Sequence, residues 1–113
     1  MEKLNAFQQT ILQVYEEYAT YLRGSNESSI DYQLIVDSKN KHFQLVAVGW
    51  KEIHRIFYVI FQSDLIRDKI WIQADNTEDG LAALLESKGI SKQDIVLAYF
   101  PEFHRKYTMY AVA

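Results

Sequence analysis

The sequence predicts an α+β domain: an N-terminal helix, an antiparallel β-meander, a second helix and a further buried strand. Three observations predict it. Apolar residues recur every three to four positions up to Leu22, and every second position from Ile30. The strand-like runs are joined by short connections, which favours antiparallel pairing because parallel strands need a long crossover. A second helical stripe, Leu81, Leu84 and Leu85, comes only after four strand-like runs.

The first helix spans residues 3–22, with Leu4, Phe7, Ile11, Val14, Tyr15, Tyr18 and Leu22 on one face and Gln8, Gln9, Glu16 and Glu17 elsewhere. Gly24 ends it, and 24–29 reads as a polar loop. Ile30, Tyr32, Leu34 and Val36 alternate with polar neighbours in a first strand, and 38–41 makes a turn. His42 to Trp50 and Ile53 to Gln62 follow as the second and third strands, rich in β-branched and aromatic residues. Asp64 to Lys69 is expected to turn the chain into a short fourth strand, Ile70 to Ala74. The second helix is expected over 78–88, with Gly89 in the left-handed capping position that glycine favours. Ser91 to Asp94 starts a helical turn, Ile95 to Phe100 is a strand buried on both faces, and 102–107 forms one more turn after Pro101.

At 113 residues, 49% of them hydrophobic, the chain fits one domain with a core of its own. It has no cysteine, which excludes disulfides, thiol catalysis and cysteine-ligated metal sites. Fifteen acidic against 12 basic residues give a net charge of −3, a poor general match to nucleic-acid phosphate. The N-terminal segment lacks the apolar run of a signal peptide, and the longest apolar runs are too short to span a bilayer. The expected address is the cytoplasm, with no membrane association.

The stretch from Asp75 to Glu86 approaches a calcium-loop template. Asp75, Thr77, Asp79 and Glu86 stand where oxygen ligands belong, with Gly80 at the sharp turn. The segment before it reads as a strand, however, where an EF-hand needs a helix. The simpler expectation is a capped turn: Thr77 as N-cap, with Glu78 and Asp79 in the first helical turn near its positive end. A metal-dependent enzyme or nuclease using Asp75, Glu78 and Asp79 is the alternative. The carboxylate-x-lysine pairs Asp37/Lys39 and Glu86/Lys88 resemble nuclease metal motifs, but they fall at a strand end and a helix end.

No close pair is formed by His42, His54 and His104, and P-loop, dinucleotide and nucleophile-elbow signatures are absent. No catalytic residue, metal or cofactor is therefore assigned. Arg105 and Lys106, set among aromatics such as Tyr107, form the most basic segment. So few charges on an acidic chain fit a protein-contact or solvated surface better than a DNA contact.

Four segments, "LIVD…HFQLVAVGW", "KIWIQADNTEDGLAALL", "GISKQDIVLAYF" and "RKYTMYAVA", resemble the XisI family, the fdxN-element excision controlling factors found mainly in cyanobacteria. The family's turn has Gly after the Asp, where this chain has Asn76, a residue that also tolerates a left-handed turn. The resemblance implies a compact α+β fold and a non-enzymatic accessory role in programmed excision of a DNA element. It also implies a nuclease-like companion, XisH, through which contact with DNA is indirect. Candidate partner contacts are Trp71, Asp75, Thr77, Glu78, Arg105, Lys106 and Tyr107; exposed sheet edges and surplus aromatics are also compatible with a homodimer.

Overall fold

The computed structural model describes residues 2–24 and 29–113, so positions 25–28 of the expected polar loop lie outside it. Helix α1 runs Glu2–Arg23. Strands β1 (Ile30–Asp37), β2 (His42–Lys51), β3 (His54–Ile66) and β4 (Lys69–Asp75) follow. Helix α2 (Leu81–Ser87), a 3-10 turn (Lys92–Asp94), β5 (Ile95–Leu97) and the short helix α3 (Glu102–Arg105) complete the chain. The five strands lie in sequence order in one sheet. The first four pair antiparallel as the meander predicts, whereas β5 returns parallel to β4 with α2 as the crossover.

Both helices cover the same face. Phe7, Ile11, Val14 and Tyr15 of α1 and Leu81 and Leu85 of α2 pack with Phe43, Leu45, Phe61, Ile70, Ile72 and Ile95 from four strands. Burying each such large side chain contributes about 1.5–3 kcal/mol before entropy is counted. At the centre of this layer the Tyr15 hydroxyl lies 2.6 Å from Ser63 Oγ. Both residues are fully buried, and burial, the largest effect, drives the Tyr15 hydroxyl well above its ordinary pKa.

Strand β3 is longer than expected and corrects the reading of 64–69 as a turn. Ser63 and Asp64 remain in the ladder, and only Arg67 and Asp68 form the loop. Both loop residues have positive φ (47° and 64°), the geometry of a two-residue type I′ hairpin turn. A bulge opposite Leu45 and Val46 leaves Ile60 unpaired, so the consecutive residues Ile60 and Phe61 are both buried. In contrast, β5 is shorter than the apolar run 95–100. After Leu97 the Ala98 amide still donates to Ile72, and Ala98 and Tyr99 then turn the chain, the Phe100 amide donating back to the Leu97 carbonyl.

Gly49 is required by close approach. A Cβ there would lie 2.1 Å from the Ser29 carbonyl oxygen and 2.8 Å from Ile30 Cα. Strand β1 is an outer edge of the sheet, and Arg23 reaches back from α1 to donate to the Tyr32 carbonyl at 2.9 Å. A cation on an edge carbonyl blunts a template for strand addition. On the far side, the C-terminal segment folds against β5, with Ala111 bridging Val96 in parallel.

Candidate functional site

The acidic turn is built from Asp75, the last residue of β4. Its Oδ1 accepts from the Thr77 amide (3.0 Å) and the Thr77 hydroxyl (2.7 Å), and its Oδ2 accepts from the Leu81 amide (2.7 Å). Thr77 Oγ1 in turn accepts from the Gly80 amide at 3.1 Å. A capped turn therefore forms, but Thr77 is not the N-cap. Gly80 occupies that position with φ 84°, and α2 begins at Leu81, so Glu78 and Asp79 precede the helix and do not lie in its first turn. The carboxylate of Asp75 supplies the cap because the strand aims it at the first free helical N–H. Asn76 has no left-handed backbone; its side-chain amide donates to the Val59 carbonyl at 2.7 Å and ties the turn to β3.

Each carboxylate that the calcium template needs already holds another partner. Asp75 holds backbone, Asp79 accepts from the Tyr18 hydroxyl at 3.0 Å, and Glu86 pairs with Lys92 and accepts from the Tyr110 hydroxyl at 2.6 Å. The Lys92 ammonium, and after it Tyr110, hold Glu86 below the usual carboxylate range. Partial burial, then Glu86, pushes the Tyr110 hydroxyl up to about 12. Among the described residues no three His, Asp or Glu groups converge on a metal position. The carboxylate-x-lysine pairs are likewise split. Asp37 accepts from the backbone and side chain of Asn40, each at 3.0 Å, and Lys88 pairs with Glu17 at 3.0 Å.

The C-terminal candidates gather at a second place. The Arg105 guanidinium lies 5.3 Å from the Trp71 ring centre and donates to the carbonyls of Phe100 (3.0 Å) and Val112 (3.4 Å). Arg105 therefore acts as a clasp between the end of β5, the tail and β4, not as a free cation. The indole nitrogen of Trp71 is buried beneath it without a partner among the described residues. Lys106, by contrast, is exposed and lies 5.2 Å from the ring centre of Tyr107, itself 75% exposed. Rings continue from there: His104 to Tyr107 at 6.4 Å, Phe100 to His104 at 4.6 Å, and Tyr99 to Phe100 at 4.8 Å. Phe103 and Met109, beside this row in sequence, are 73% and 72% exposed. Thus the structure joins Trp71 to Arg105, Lys106 to Tyr107 and Asp75 to Thr77, and leaves Glu78 exposed without an ion pair among the described residues.

Sequence reasoning missed two arrangements. His42 and Asp64 pair across β2 and β3, with His42 Nδ1 2.8 Å from Asp64 Oδ1 and Gln62 also donating to that oxygen. The Asp64 carboxylate raises the His42 pKa. The second is a groove between α1 and the 76–80 turn, where the rings of Tyr18 and Tyr21 stand 5.6 Å apart. No signal in the sequence links residues so distant along the chain.

The fold and these surfaces define a class: a small α+β module whose polar clusters brace its backbone and whose C-terminal segment carries a row of aromatic rings. The chain belongs to the XisI family, whose model, XisI protein, matches residues 1–112. A solved XisI-like protein from Anabaena variabilis ATCC 29413 superposes with a TM-score of 0.87 at 31% identity, over 97% of this chain and 99% of the other. The fdxN element excision controlling factor XisI from the same organism matches at 0.78 and 26% identity, over 98% and 99% of the two chains. No curated protein matches.

Proposed function

We propose that this protein is an accessory factor that controls excision of a DNA element by binding a nuclease-like partner of the XisH type, and that it docks through its C-terminal aromatic face. Membership in the XisI family and likeness to a solved excision controlling factor support the regulatory role. The observation that carries the docking reading is the density of exposed apolar side chains in the C-terminal segment: Phe103, Tyr107 and Met109 are each more than 70% exposed within seven residues. Exposed Phe, Tyr and Met at this density are the composition of an interface core, and Lys106 supplies a rim charge. DNA contact is then delegated to the partner, in keeping with the net negative charge of this chain.

The test is co-purification with the nuclease-like companion at low and moderate salt, using the wild type and the variants Phe103→Ser and Tyr107→Ser. Both side chains are solvent-facing, so thermal melts should be unchanged. Loss of a central aromatic anchor costs about 2 kcal/mol or more, roughly 30-fold in affinity. A complex that forms equally well with both variants refutes the assigned face. Absence of any complex at either salt concentration refutes the adaptor role.

A further inference from the structure

The second half of α1 and the turn before α2 leave an open groove that the C-terminal face does not share. It consists of two hollows of about 400 and 320 Å³ that have Tyr18, Tyr21 and Asp79 in common. One hollow extends to Glu17 and Lys88, the other to Tyr58 and Glu78. Three carboxylates against one ammonium leave the groove net negative, and Glu17 is already paired with that ammonium. The unneutralised charge is therefore on Glu78 and Asp79. Asp79 accepts from Tyr18 through Oδ2 alone, and neither its Oδ1 nor Glu78 accepts a hydrogen bond among the described residues. The walls are aromatic: Tyr21 and Tyr58 are 68% and 48% exposed, and their hydroxyls have no protein partner among the described residues.

Tyrosine faces beside free carboxylates suit a guanidinium. A planar cation stacks on a phenol ring and presents paired N–H donors to a carboxylate, whereas an ammonium uses only its point charge. We infer that this groove is a docking site for an arginine-bearing segment of a protein partner, one arginine side chain entering each hollow against Tyr18 and Tyr21. The charge of the groove selects the cation, and the shared wall between the hollows selects a segment with two such side chains in place of a single small molecule.

The test uses the full chain, labelled with nitrogen-15, titrated with the blocked peptide Gly-Arg-Gly-Arg-Gly and followed by amide shifts. The expected result is a dissociation constant of about 1 mM, with shifts confined to the groove segments 14–22, 58–60, 76–80 and 84–88. The peptide with citrulline in place of arginine should bind at least about tenfold more weakly, since it keeps the shape and loses the charge. The double variant Glu78→Gln, Asp79→Asn should weaken binding by a similar factor without altering the melt, because the new amide oxygen still accepts from Tyr18. Equal binding of the citrulline peptide, equal binding by the double variant, or shifts elsewhere would each overturn the inference. So would arginine amide binding as tightly as the peptide, which would mark a small-molecule site. None of these outcomes bears on the C-terminal face, since the two surfaces have no residue in common.

Discussion

Replacing Asp75 with alanine removes three hydrogen bonds at once, those to the Thr77 amide, the Thr77 hydroxyl and the Leu81 amide. Two of these are short, at 2.7 Å, as expected for an ionised acceptor. Loss of a helix N-cap costs about 1 kcal/mol and a hydrogen bond to a charged group about 1.5–3 kcal/mol. The three bonds share one carboxylate, and water can reach the half-buried turn once it is gone, so the contributions do not simply add. An overall cost of about 3 kcal/mol is expected. With a urea slope of about 2 kcal/mol/M for a chain of this size, the unfolding midpoint should fall by roughly 1.5 M. The assay is urea unfolding followed by far-ultraviolet circular dichroism, with Glu78→Ala measured beside it. Glu78 has no hydrogen bond or ion pair among the described residues, and its replacement should leave the midpoint unchanged. If Asp75→Ala shifts the midpoint by less than about 0.3 M, the cap has been misassigned. If added calcium raises the wild-type midpoint and does not raise that of Asp75→Ala, the turn is a metal loop after all.

Two further perturbations test other parts of the fold. The β3–β4 loop places two non-glycine residues at positive φ, so the double change Arg67→Asn, Asp68→Gly should relieve strain and stabilise the protein by about 1 kcal/mol; a lower melting temperature would refute the type I′ assignment. His42 has a folded pKa raised by Asp64, so the pair stabilises the native state fully below the unfolded value of about 6.5 and loses that effect as pH rises through the raised folded value. Unfolding midpoints of wild type and His42→Gln should therefore differ at about pH 5.5 and converge by about pH 9; a constant gap across that range would show that the pair acts by packing alone.

Where local chemistry decides the outcome, the sequence was legible. The period of α1 places Phe7, Ile11, Val14 and Tyr15 inward, and the structure extends the helix by only one residue at each end of the expected 3–22. The four strands of the meander also follow from alternation and short turns. What failed were boundaries governed by partners far away in sequence. The expected third strand stops at Gln62 and the expected turn starts at the polar Asp64, yet Ser63 answers the hydroxyl of Tyr15 inside the core and Asp64 answers His42 across the ladder. The true turn, Arg67-Asp68, lies inside the expected 64–69, but it carries neither glycine nor asparagine, so nothing in the residues narrows it to two. The parallel return of β5 was hidden for a similar reason. Its crossover contains α2 and is long enough to return the chain parallel, whereas short connections favour antiparallel pairing only from β1 to β4.

The acidic turn shows how one run of residues divides between structure and recognition. Spacing alone made Asp75, Thr77, Glu78 and Asp79 look like one constellation, either a ligand set or a first helical turn. A strand that delivers Asp75 directly beneath the helix turns that carboxylate inward, and its oxygens are then consumed by backbone N–H groups. Gly80, at φ 84°, reverses the chain before α2 and keeps Glu78 and Asp79 outside the helix. These two acids are left on the groove side with only Tyr18 to answer them. The cap thus fixes where the outward charges stand, and charges held on a rigid turn lose little freedom when a partner arrives. A change at Asp75 should consequently weaken binding of the arginine peptide by loosening Glu78 and Asp79, although Asp75 does not line the groove. The Glu78→Gln, Asp79→Asn variant should weaken it with the fold intact. Measured together, the unfolding midpoint and the peptide affinity separate the two roles. If Asp75→Ala lowers the midpoint and leaves the affinity of the remaining folded protein unchanged, the turn does not preorganise the groove.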